Sequence, residues 1–271
     1  MQAGPPAEGQ AGPAPAVGGA GPHPPGGGIH TSSAKYWNLL GRLPVSNHIK
    51  VFGLRLAHAA LPCLAMKAGM RQPKRASDVQ CPQCAALVPR PSPVPPETYT
   101  HLFMLCPSYR PVTVWLCSLW EALTGVRPPM DPAVIIAAEP EAWPAAPTGA
   151  RLLAWHALRL TVIYAIWSAR VDGGPDQCCP PAVARRVVAL LREEIALQFR
   201  RSRQRQHSLQ FLPPRLLGTH RLRPAEDGFA AWSDIGLCTV LGSSSAASPG
   251  GAGHLVVLLS NTFPVPLPAG P

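Results

Sequence analysis

The sequence predicts a mainly α-helical protein, a small helical domain organised around a Cys3His site and flanked by disordered, Gly/Pro/Ala-rich ends. Three observations predict it. Apolar residues recur at three- and four-residue spacing through the middle of the chain. Two cysteines two residues apart are followed within one short window by a histidine and a third cysteine. The 35 prolines and 24 glycines among 271 residues mean that the packed part must be shorter than the chain.

Taken in order, residues 1–34 hold almost no aliphatic side chain larger than Val and cannot bury enough surface to offset chain entropy, so they are expected to be disordered. The helical domain is expected over residues 35–210. Its first helix starts at Ser46 as N-cap, places Ile49, Phe52, Leu56 and Ala60 on one face, is interrupted by Pro62 and ends at Gly69. The next has Ser108 as cap and Pro111 in its first turn, where a missing N–H costs nothing, and Gly125 closes it. A third follows Thr148 and carries Leu152, Trp155, Leu158, Val162, Ile166 and Trp167. A fourth follows Pro180 and Pro181, with Ala184, Val188, Leu191, Ile195 and Phe199 on one stripe. Residues 211–271 are expected to form a low-complexity, disordered tail. Within it HLVVLLSNTF reads as a strand without a pairing partner, and the run from Ser243 to Gly253 as a flexible linker.

Composition bounds the function. Only 14% of residues are charged, and 24 Lys and Arg against 14 Asp and Glu give a formal +10. Such a surplus suits an acidic partner, nucleic acid being the commonest, or a solvated surface. The N-terminal segment lacks the basic and apolar regions of a secretory signal, so a reducing, intracellular setting is expected, with the eight cysteines as ligands or buried thiols and not as disulfides. No membrane span is expected, because the apolar stretch from Leu152 to Trp167 is broken by His156 and Arg159. No phosphate-binding Gly-rich loop, H-E-x-x-H, G-x-S-x-G or paired catalytic carboxylate occurs, so neither an enzyme nor a small-molecule substrate is expected.

The chemistry concentrates in CPQC followed by ETYTHLFMLCP, or C-x2-C-x16-H-x4-C. A Cys-x2-Cys turn converges two sulfurs on one ion, and the His-x4-Cys pair supplies two further donors. Cys81, Cys84, His101 and Cys106 are therefore expected to hold one structural Zn2+, closed because no position remains for water. Arg71, Lys74 and Arg75 lie upstream to offset the site's negative charge. Cys63 and Cys117 read as buried small hydrophobes, and Cys178 and Cys179 as loop thiols. A second signal is LQFRRSRQRQH, where Arg200, Arg201, Arg203 and Arg205 cluster at a helix end. That density suits phosphate neutralisation, with Lys50 and Arg55 as additional contacts, although a helix C-terminus by itself favours one or two cations.

These segments, RLAHAALP from Arg55, CPQC from Cys81, ETYTHLFMLCP from Glu97 and VWLCSLWEALTG from Val114, resemble the reverse-transcriptase zinc-binding domain of LINE-type non-LTR retrotransposons. The resemblance covers residues 36–170, including WHALRLTVIYAIW from Trp155. It implies that Cys81, Cys84, His101 and Cys106 are zinc ligands and that the module holds RNA or DNA near a reverse transcriptase. The chain has no Y-x-D-D-type motif, endonuclease domain or ribonuclease H carboxylates, so polymerase activity does not carry over. It resembles a detached C-terminal piece, whether domesticated or a retroelement remnant. The alternative is a helical protein-interaction module that uses Trp115, Trp120, Trp155 and Trp167 as a surface for another protein.

Overall fold

One long, almost wholly buried helix, Gly149–Asp172, lies at the centre of the fold, and four other helices pack on it. A computed structural model describes residues 34–65, 76–87, 93–139, 142–172, 178–210, 228–241 and 254–257. The expectations for residues 1–33, for Gly69, for Arg71, Lys74 and Arg75 and for the linker at 243–253 lie outside them, whereas Ala34, expected in the disordered end, opens the first helix. The helices are α1 (Ala34–Arg42), α2 (Asn47–Ala57), α3 (Pro82–Leu87), α4 (Arg110–Thr124), α5 (Gly149–Asp172), α6 (Pro180–Gln210) and α7 (Gly228–Asp234). Two short strands, β1 (Cys238–Leu241) and β2 (His254–Val257), complete the described elements together with a 3-10 turn and two π turns.

Helix α5 is buried on every side from Leu153 to Ile163, the mark of a helix apolar around its whole circumference. It is long and apolar enough to span a bilayer, yet 89% of its most apolar stretch is covered by the fold. Helices α2, α4, α6 and α7 all pack on it. His156 and Arg159, which break its apolar run, are buried as well. Arg159 Nη1 donates to the carbonyls of Ile135 (2.7 Å) and Ile136 (3.1 Å) in the π turn Ala133–Ala137, so two backbone dipoles stand where a carboxylate would be expected. Trp115, Trp120, Trp155 and Trp167 are all buried and belong to this core; they do not form a surface for another chain. Trp155 takes edge-on contacts from Trp120 and Trp143, both with centroids 5.3 Å away.

Several boundaries differ from the sequence reading. Helix α1 was not expected. Helix α2 ends at Ala57, before Pro62, because the chain turns through His58 and a left-handed Ala59 (φ 51°), which takes Ala60 out of the helix. Ser46 is its N-cap as expected, with extended backbone, but its N–H donates to Glu194 of α6 (2.6 Å). Tyr109, one residue past Ser108, caps α4; Pro111 sits in the first turn and Gly125 closes the helix with φ 76°. Gly53 lets α2 approach α5, since a Cβ there would come within 2.9 Å of Leu160 and 3.0 Å of Leu40.

The tail departs most from expectation. HLVV in β2 pairs antiparallel with CTVL in β1, Cys238 opposite Val257 and Leu241 opposite His254. Trp232 of α7 is completely buried, and its Nε1 donates to the Pro44 carbonyl (3.3 Å). Residues 228–241 and 254–257 are thus ordered elements, and part of the region expected to be a disordered tail closes the core. A buried Trp whose indole N–H has a partner supplies the apolar area that the surrounding Gly- and Pro-rich sequence lacks.

Candidate metal centre

The two halves of the motif are joined by a short piece of antiparallel pairing. Gln80 and Pro96 form an isolated bridge; Cys81 N–H donates to Pro95 O (2.9 Å) and Glu97 N–H to Val79 O (2.8 Å). Past this bridge each half turns helical in its own way. Pro82 opens α3, and the Cys81 carbonyl accepts the N–H of Ala85 (2.9 Å), so Cys81 stands at the helix start with Cys84 one turn on. That is how Cys-x2-Cys aims two sulfurs at one point.

The His-x4-Cys half uses a less common device. Five residues along an α-helix rotate a side chain by about 500°, or about 140° away from its starting face. An α-helix would therefore point His101 and Cys106 apart. The segment His101–Leu105 is instead a π turn, and Cys106 N–H returns to the His101 carbonyl (2.7 Å), which brings residue 106 back over residue 101. Thr98 Oγ1 accepts the His101 N–H (3.0 Å), and Thr113 of α4 donates to Phe103 O (2.5 Å), fixing the turn at its start and its middle.

All four side chains are buried, and their donor atoms lie within 4.8 Å of one another. Cys81 Sγ is 3.9 Å from Cys106 Sγ, and Cys84 Sγ is 3.3 Å from His101 Nε2. A tetrahedral ion with metal–sulfur bonds of about 2.3 Å and metal–nitrogen bonds of about 2.0 Å needs edges of about 3.8 Å and 3.5 Å. The cluster fits one such ion.

Thiols this close cannot ionise independently. The hydrogen bond donated by Cys106 holds Cys81 down to about 4 against the opposing effect of burial, with His101 assisting. Burial, and then the Cys81 charge, pushes Cys84 up to about 11. Cys106 is raised by donating to Cys81 and by burial. One thiolate beside two retained thiols is a donor set that a cation completes by displacing the remaining protons.

Glu97, four residues before His101, is a structural residue that sequence reasoning missed. It is fully buried and receives both Nη2 (2.8 Å) and Nε (3.2 Å) of Arg170 at the end of α5. Its Oε1 also accepts the N–H of Leu64 (3.0 Å), and its backbone carbonyl accepts that of Ala65 (3.2 Å). One carboxylate therefore fastens the metal segment to the central helix and to the chain after α2. The available signal was an acidic residue inside an otherwise apolar motif.

The other expected site residues are less closely grouped. Arg200 and Arg201 are exposed on α6 and Arg55 is exposed on α2. Arg203 and Arg205 lie on α6, with side chains outside the described residues. Lys50 is half-buried and donates to the Gly41 carbonyl (2.6 Å). Burial, and then the nearby Arg201 guanidinium, lowers the Lys50 pKa against Glu194, so α2 and α6 bring two of the expected cations together. Cys63 and Cys117 are buried, as expected of small hydrophobes; Cys178 is buried too and donates to Ala169 O (3.4 Å), whereas Cys179 is exposed. No protein-family model, curated protein or solved structure matches the chain.

Proposed function

We propose that this chain is a non-catalytic, zinc-stabilised module that binds nucleic acid with low sequence preference, in the manner of the zinc-binding piece downstream of a LINE-type reverse transcriptase. The observation that carries the reading is the convergence of four buried donors supplied by one short motif. Three thiolates and an imidazole in tetrahedral array suit Zn2+, and a fourfold-filled ion has no open position for substrate or water. The residues that the resemblance implies as ligands are the same four that converge, which supports the family reading. The formal +10 and the exposed Arg55, Arg200 and Arg201 support a polyanionic partner. A reverse transcriptase or another protein acting on the same nucleic acid is the natural neighbour of such a module.

Elemental analysis of the purified chain tests the metal: one zinc per chain is expected, and stoichiometry near zero in metal-replete protein would sink the proposal. Cys84→Ser and His101→Ala should each lose the metal, while Cys178→Ser should keep it. Changing Arg200, Arg201, Arg203 and Arg205 together to Gln should weaken binding to all sequences alike and flatten its salt dependence, with zinc content unchanged. Parent-like binding by that variant at moderate salt would remove the basic helix from the interface.

A further inference from the structure

The outward face of α1 and α2 combines features that neither helix shows in sequence. Residues 51, 54, 55 and 58 follow one another at three- and four-residue spacing and share one side of α2 and its end. Val51 (46%) and Leu54 (40%) are exposed there beside exposed Arg55 and His58. Trp37 of α1 stacks on the His58 ring with centroids 5.1 Å apart and planes 18° from parallel. The stack covers one face of the imidazole, and His58 as a whole remains exposed. The Lys50 contact to Gly41 ties this strip to the end of α1, where Arg42 is exposed, and Arg201 of α6 borders it. Neither α1 nor α2 contains an acidic residue. The carboxylate that bears on Lys50, Glu194, is buried and receives the Ser46 N–H.

We infer that this face binds a single-stranded nucleic-acid segment, with a base stacked on the open side of the Trp37–His58 pair and the neighbouring phosphates met by Arg55, Lys50 and Arg42. The inference rests on the nucleic-acid reading above and goes further by naming the strand state and the surface. An aromatic ring backed by a second ring is a rigid platform for a π face, and every base has one. In a duplex those faces are already stacked, so the platform adds affinity for single strands only. Val51 and Leu54 offer an apolar floor for sugar and base edges. The lack of acidic side chains on both helices suits a polyanion better than a protein surface of mixed charge.

The test uses the full chain with its metal bound, titrated by fluorescence anisotropy with an oligodeoxythymidylate strand and, separately, with a mixed-sequence duplex. His58→Ala should weaken strand binding by about tenfold and leave duplex binding nearly unchanged, since one base stacked on a side chain contributes on that order. His58→Phe, which keeps a ring, should restore strand affinity. Arg55→Gln should weaken both probes and lower the salt slope by about one. Metal content and far-ultraviolet dichroism report whether each variant is folded, and His58→Gln, which keeps a polar side chain but no ring and should weaken strand binding alone, carries the test if His58→Ala is not folded. Strand binding by His58→Ala equal to the parent, with the quadruple arginine variant still weakened, would overturn the platform while leaving the nucleic-acid reading in place. Failure of the parent to bind either probe at low salt would overturn both.

Discussion

Single residues divide into those whose chemistry spacing reveals and those whose surroundings decide it. The four metal-site residues belong to the first kind, because a chelating turn needs donors at fixed separations and those separations are visible in a linear string. His156 belongs to the second. Read along the chain, it and Arg159 only interrupt an apolar run; in the fold both are enclosed by other helices. Burial, reinforced by the Arg159 charge, holds His156 down to about 3, and its Nδ1 has no hydrogen-bond partner among the described residues. The unfolded chain takes up a proton near the ordinary histidine value of about 6.5, whereas the folded chain does not. Stability should therefore be fully present above about pH 6.5 and fall as the pH drops toward about 3, the unfolded state binding the extra proton. Denaturant titrations at pH 7 and pH 5.5 should differ by about 1 kcal/mol from this residue. His156→Gln should remove that part of the slope, and an unchanged slope would mean that the imidazole is already protonated in the fold.

Elements were legible where a stop or start signal is local. Gly125 closes α4, Pro180 opens α6 and the helix after Thr148 begins where its pattern does, each fixed by a residue whose backbone preference is its own. The π turns were not legible, since no residue type prefers an i+5 hydrogen bond and the turn at His101 is stabilised from outside by Thr98 and Thr113. Nor was the pairing of β1 with β2, because a strand's partner is a property of the fold. The Glu97–Arg170 pair is the tertiary contact that holds the π-turn segment against α5, and its two side chains are 0% and 13% exposed. Removing one charge of a buried, bidentate pair leaves the other uncompensated, at a cost of about 3–5 kcal/mol. Glu97→Gln should lower the denaturation free energy by about that amount while its amide oxygen still accepts the Leu64 N–H. A loss under about 1 kcal/mol would mean that Arg170 reaches water once its partner is neutral.

At the scale of the whole molecule the metal centre and the helical core are continuous, since Cys81, Cys84 and Cys106 lie in the same buried cluster as Leu102, Phe103 and Trp167. They are nevertheless held by different forces. The core of α4, α5, α6 and α7 buries five tryptophans, Trp115, Trp120, Trp155, Trp167 and Trp232, and a broad set of aliphatic side chains, and burial of that kind needs no ion. The segment from Ala76 to Cys106 has a 3-10 turn, a six-residue helix, one isolated bridge and a π turn, none of which is stable alone. Chelation should therefore act unevenly. Hydrogen exchange with and without a strong chelator should show amides of residues 76–87 and 93–106 losing protection by orders of magnitude, because binding free energy in such a site is folding free energy. Amides in the middle of α5 should change far less, and helical dichroism should fall only in part. Uniform loss of protection along α5 would show that the metal is required by the whole fold and that the apolar core is insufficient without it. No change in either region would show that the four side chains pack without an ion, and the zinc proposal would fall with it.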